Sequence, residues 1–297
     1  MSFPKHNPAI EEPECAVTQT PSQAAISRRP ELGIWSSLQS HWPEYLMEAG
    51  LLGSFMVSAC LFTALFYFPQ SPVSQVIPTG LLRRLLIGLA MALTALTIFY
   101  SPWGKQSGAH INPSVTLTFL RLGKIRRWDA FFYIVAQFTG SILGVLLAAQ
   151  VLRPVLSHPS VRYAVTTPGP SGPWTAFFAE ILIACGMMLA VLYFSSHPRL
   201  SRFTPIVASI LVATYITFES PLSGMSMNPA RSFGSALNAG VWDYFWIYMT
   251  APLVGMLSAS QLYTWWKGRG ALKCCKLHHH NLKRCIFCGA NGGFARV

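Results

Sequence analysis

The sequence predicts an all-α membrane protein: six transmembrane helices plus two re-entrant half-helices, arranged as inverted repeats. Three observations predict it. Of 297 residues, 52% are hydrophobic and only 11% are charged. A soluble domain carries about 25% charged residues, so a soluble surface could not be covered here. Six apolar stretches lie at 45–68, 81–100, 128–151, 174–194, 203–218 and 242–266, close to the ~20 residues that cross a bilayer core. A Ser-Gly-x-x-x-Asn-Pro segment follows both the second and the fifth stretch, beginning at Ser107 and Ser223. The same composition excludes a disordered chain and a collagen. The seven cysteines, an odd count with four crowded at the C-terminus, suggest no extracellular disulfide framework.

Four stretches reach full spanning length, and the second and fifth draw on neighbouring residues. Tyr45, Tyr100, Trp128, Trp174 and Trp242 mark their ends, as an interfacial aromatic belt requires. The polar, Pro-rich segment 1–44 reads as a disordered cytoplasmic N-tail without a signal peptide. The membrane domain runs over 45–266, with repeat one at 45–152 and repeat two at 174–266. A basic, Cys/His-containing cytoplasmic tail follows at 267–297. The net charge of +12 lies in the tails and between spans. A lipid bilayer is therefore the expected partner, and no nucleic acid is. Six spans put both termini on one side. That side then holds 17 of the Lys and Arg residues, against five (Arg83, Arg84, Arg153, Arg162 and Arg231) on the other. Positive residues stay inside, so the termini are expected to be cytoplasmic.

Glu48 lies early in the first span and Glu180 early in the fourth. Three spans and one Asn-Pro segment thus occur twice. Three is odd, so the halves insert with opposite topology and meet near the bilayer midplane.

Asn is a preferred helix N-cap, and Pro fits the first helical position. Helices are therefore expected over 112–122 and 228–239. At 1.5 Å per residue each reaches roughly 16–18 Å, about half of a ~30 Å core. Irregular backbone before them is tolerated at that depth only where it is buried or lines a cavity. Asn112, Pro113 and Ser114 with Asn228, Pro229 and Ala230 form the candidate constriction. Each helix N-terminus carries about half a positive charge, which disfavours cations. Each Asn oxygen can cap its helix while the NH₂ faces the lumen. A water accepting from both would point its own hydrogens outward and interrupt a proton wire.

Ser107-Gly108-Ala109-His110-Ile111-Asn112-Pro113-Ser114 resembles the first loop motif of the aquaporin family of major intrinsic proteins. Ser223-Gly224-Met225-Ser226-Met227-Asn228-Pro229-Ala230-Arg231 resembles the second. Aquaporin-type pores are themselves the standing example of the proton barrier just described. The likeness covers 45–266. It implies a right-handed six-helix bundle with two half-helices, usually a homotetramer with one pore per subunit. It implies an outer selectivity filter at Ile216, Met225 and Arg231, with either Met91 or Ala92 as the remaining member. It also implies that Glu48 and Glu180 support the loops. The sequence departs from the family pattern in places. Ser114 stands where Ala is usual, and Lys105 where His is common. Ile216 and Met225 replace the aromatic and His of water-selective members. Ser232 follows Arg231 where glycerol facilitators carry Asp.

The expected function is a passive channel for water and other small uncharged solutes, such as glycerol, urea or ammonia, that excludes ions and protons. A proton-coupled secondary transporter using Glu48 or Glu180, and a non-conducting structural membrane protein, are the alternatives. No enzyme is expected, for lack of paired carboxylates, a nucleophile–base motif or an intramembrane His cluster. Gly140-x₃-Gly144 and Ala251-x₃-Gly255 read as close helix contacts, Gln137 as an interhelical hydrogen bonder, and Glu219 as a solvated residue at the fifth span's mouth. The tail reads Cys274-Cys275-x₂-His278-His279-His280-x₄-Cys285-x₂-Cys288. Its order matches no standard zinc finger, so it is read as a solvated basic tail. No metal and no cofactor are expected; zinc binding, or acylation of Cys274 and Cys275, is the alternative.

Overall fold

The computed structural model describes residues 32–289 apart from Pro78, Arg269, Lys273 and His280. Among them, eight helices carry the architecture: α1 Ile34–Tyr67, α2 Gly80–Tyr100, α3 Pro113–Arg121, α4 Arg127–Leu156, α5 Pro173–Ser196, α6 Thr204–Phe218, α7 Pro229–Ala239 and α8 Phe245–Lys267. The protein is an all-α integral membrane protein, and no strand occurs in the described residues. The segments of α1, α2, α4, α5 and α6 are long and apolar enough to cross a membrane. At 23 residues α8 has the length, but its Ser, Thr and Gln residues lower its hydropathy.

The first helix corrects an expected boundary. It starts at Ile34 rather than near Tyr45 and runs for 34 residues, straight through Pro43. That is about 51 Å against a ~30 Å core, so several turns stand clear of the lipid. Polar residues in those turns are buried rather than solvated. His41 Nδ1 lies 2.7 Å from Asp129 Oδ1, and the Tyr45 hydroxyl donates to the same oxygen at 2.6 Å. The rest of the expected N-tail, 1–31, lies outside the described residues.

The packing follows the repeat. α1 lies on α4, and α5 on α8. α2 meets α6 across the two halves. Each half-helix docks on the third span of the other repeat, α3 on α8 and α7 on α4. The two halves are therefore interlocked. Close approach requires the small residues noted in the sequence. A Cβ added at Gly140 would fall 2.1 Å from the Ala49 carbonyl oxygen, and one at Gly255 would fall 2.4 Å from that of Ile181.

Candidate functional site

The two loops that precede α3 and α7 follow the same strained path. Gly108, Ala109 and Ile111 have φ of 97°, 51° and 41°; Gly224, Met225 and Met227 have 83°, 53° and 54°. Side chains beyond glycine rarely adopt such angles, and they persist only where the surroundings hold them. A buried glutamate holds each loop. Glu48 Oε1 accepts from the Ser107 hydroxyl (2.8 Å) and the His110 N–H (3.0 Å). Its Oε2 accepts from the Ile111 N–H (2.6 Å) and the Gln137 amide (3.0 Å). Glu180 Oε1 accepts from the Ser223 hydroxyl (2.8 Å) and the Ser226 N–H (2.6 Å), and its Oε2 from the Met227 N–H (2.7 Å). Tyr133 and Tyr248 donate to the Ser107 and Ser223 carbonyls at 2.7 and 2.5 Å. Several charge-assisted hydrogen bonds per carboxylate are what a buried charge needs.

Each loop delivers an asparagine to one place. Asn112 Oδ1 caps α3 by accepting from the Ser114 N–H at 2.9 Å. Asn228 Oδ1 caps α7 by accepting from the Ala230 and Arg231 N–H groups at 3.1 and 3.2 Å. Their NH₂ groups cross over. Asn112 donates to the Met227 carbonyl and Asn228 to the Ile111 carbonyl, both at 2.7 Å. Each amide has two hydrogens, so one locks the opposite loop and the other is left for the lumen.

A cavity of about 370 Å³ borders both asparagines. Arg84 and Phe99, both on α2, also line it; fifteen residues of helix separate them by about 22 Å, most of the membrane core. Met91, Ile216, Met225 and Arg231 border it, whereas Ala92 does not. Arg231 Nη1 is buried with no protein partner among the described residues. Of the expected constriction residues, Asn112 and Asn228 border the cavity. Pro113, Ser114, Pro229 and Ala230 are buried and do not line the cavity. Positions three apart share a helix face, and from each half-helix the N-cap and the residue three on line the cavity. These are Asn112 with Val115 and Asn228 with Arg231. Val115 was missed, although the same spacing that singles out Arg231 would have found it.

Two further expectations fail. Glu219 is buried, not solvated, and its burial pushes the carboxyl up to about 7. The described part of the tail is folded against the helices, with Leu272, Cys275, Leu277 and Ile286 inside the main core. Arg284 makes a two-pronged ion pair with Glu44, both contacts 2.9 Å. Lys276 Nζ donates to the Lys105 carbonyl at 2.9 Å, and burial lowers its pKa. His110 Nε2 lies 3.0 Å from the Cys275 carbonyl, and the Phe287 ring stacks on His110 at 5.6 Å. Residue order and charge alone carry no sign of these contacts.

The model of the family described as "Major intrinsic protein" matches residues 41–263. Aquaporin NIP2-2 of Zea mays is 33% identical over 218 residues, 72% of this chain and 71% of that protein. A probable aquaporin, AqpM, of Archaeoglobus fulgidus is 34% identical over 186 residues, covering 60% and 75%. Among solved structures, the aquaglyceroporin from Plasmodium falciparum shares the fold. Its TM-score is 0.61 at 20% identity, over 75% of this chain and 96% of that one.

Proposed function

The chain belongs to the major intrinsic protein family, and we propose that its pore runs between Asn112 and Asn228. It is a passive channel for water and small solutes. The observation that carries the reading is the pair of opposed N-caps bordering the cavity. Two half-helix N-termini repel cations there, and two amide donors hold a passing water by its oxygen, which breaks a proton wire. Arg231, with Met91, Ile216 and Met225, sets the outer selectivity. Three apolar or thioether walls beside one cationic donor suit uncharged solutes larger than water, such as glycerol and urea. Glu48 and Glu180 support the loops rather than carry protons, since neither borders the cavity and their oxygens are occupied by loop donors. The protein works as a homotetramer without catalytic chemistry, with cytoplasmic termini as the 17-to-five division of basic residues indicates.

The test is osmotic shrinkage of proteoliposomes holding the full chain, run for water, glycerol, urea and ammonia with and without a metal chelator. Faster shrinkage than protein-free vesicles is expected. Lipid-baseline permeability to all four solutes in both buffers would defeat the reading.

A further inference from the structure

The match to the family ends at residue 263, and the segment beyond it does two things at once. It brings four soft ligand atoms together, and it covers one end of the cavity. We propose that Cys274, His279, Cys285 and Cys288 bind a zinc-type divalent ion, and that this ion clasps residues 274–288 into a plug with Leu277 at the cavity mouth. The plug half of the proposal rests on the channel reading above.

The ligand atoms of these four residues all lie within 4.8 Å of one another. The Cys274 and Cys285 sulfurs are 3.5 Å apart, and His279 Nε2 is 3.1 Å from the Cys288 sulfur. A zinc tetrahedron with metal–sulfur bonds of about 2.3 Å has sulfur–sulfur edges of about 3.8 Å, and Cys₃His is a closed structural ligand set. Cys274 and Cys285 are buried. Residues 271–289 form only turns and bends, with no helix or strand among those described. A short segment of that kind has little regular structure to offset its ordering entropy, and a structural metal supplies the missing free energy in such segments.

The spacing ties the ion to the pore. Cys274 and His279 flank the residues that touch the channel. The Leu277 N–H donates to the Gly108 carbonyl at 3.2 Å, and Leu277 itself lines the cavity. The Cys275 carbonyl meets His110, and the His278 ring packs on Tyr100 at 5.0 Å. Gly108 opens the first re-entrant loop, so the clasped tip stands where solute must enter or leave. With the ion bound, Leu277 is held at the mouth. With it removed, the loop has no base, and the mouth widens.

The experiment uses the purified full chain in proteoliposomes. Zinc is counted by elemental analysis, and osmotic shrinkage is followed in zinc and in chelator. One zinc per chain is expected, together with severalfold faster water flux after chelation, reversed by zinc. Cobalt in place of zinc should give the visible spectrum of a tetrahedral thiolate site. A C285S/C288S variant should hold no zinc and conduct freely in both buffers. Leu277→Ala should keep its zinc and conduct faster, which guards against a misfolded cysteine variant. Wild-type protein that retains no zinc would overturn the proposal, as would flux that responds to reductant but not to chelator. Zinc bound with flux above baseline yet indifferent to chelation would overturn the plug. Baseline flux in every arm, with zinc still retained, would instead overturn the channel reading.

Discussion

In the loop before α3, Glu48 accepts hydrogen bonds from Ser107, His110, Ile111 and Gln137. In the loop before α7, Glu180 accepts from Ser223, Ser226 and Met227. The glutamate, the serine, the supporting tyrosine, the left-handed residues and the capping asparagine all recur. The differences lie partly within that frame and partly around it. Pro252 stands where the repeat would put Gln137. His110 pairs with Thr116, whereas Ser226 pairs with Ser232, which also meets Thr166. Val115 lines the cavity on one side and Arg231 on the other. Gly108 lies under Lys276 and Phe287 of the tail, while Gly224 lies under Thr166 and Thr167. Apart from Gln137, the groups named above that hold strained backbone inside the bundle are duplicated, because both loops pose the same hydrogen-bonding problem. Groups that line the cavity or meet the tail diverge more, and selectivity and control are proposed for them.

The shared frame can be broken most severely at the glutamates. Glu180→Ala leaves two backbone N–H groups and a hydroxyl without an acceptor. At ~1–3 kcal/mol for each buried orphan, roughly 3–9 kcal/mol is lost, and monodisperse protein should vanish from size-exclusion profiles. Glu48→Ala should fail likewise. If one variant assembles normally, the two loops are not equivalent in stability. A smaller effect comes from making the outer wall like the inner one. Arg231→Val removes a charge that opposes a cation 4 Å away by about 4 kcal/mol at an effective dielectric of 20. Cation leak and glycerol flux should both rise while water flux changes little. Vesicle ion flux unchanged from the wild type would remove Arg231 from the barrier. The smallest effect tests the one difference within the capping motifs. Ser114 Oγ is buried without a hydrogen-bond partner among the described residues. Ser114→Ala should therefore alter thermal stability by no more than about 1 kcal/mol and leave all four permeabilities as they were. A clear drop in water flux would mean that this hydroxyl reaches the solute after all.

Much of this was legible in the residues. Both half-helices start at Asn-Pro, since N-capping and the fixed φ of proline act within a few residues. Gly140 and Gly255 were readable as contact points because helix packing in lipid depends on small side chains. Other features needed distances between remote parts of the chain. Ala92 and Met91 are adjacent in sequence, and only the rotation of α2 against α6 turns Met91 to the cavity. Glu219 reads as a surface carboxylate until neighbouring segments cover it.

By itself, then, the order of residues determined the apolar spans, the inverted duplication and the paired caps. Each of these is written in hydropathy over about 20 residues or in a motif a few residues long. Tertiary structure alone decided that the two asparagines clasp each other's loops, and that helix extends back to Ile34. It also decided that the described part of a tail of cysteines, histidines and lysines packs against the first re-entrant loop. These outcomes rest on partners more than eighty residues apart, such as His41 with Asp129, Asn112 with Met227 or His110 with Cys275. No local periodicity encodes such pairs; they form only once the helices have brought the two surfaces together.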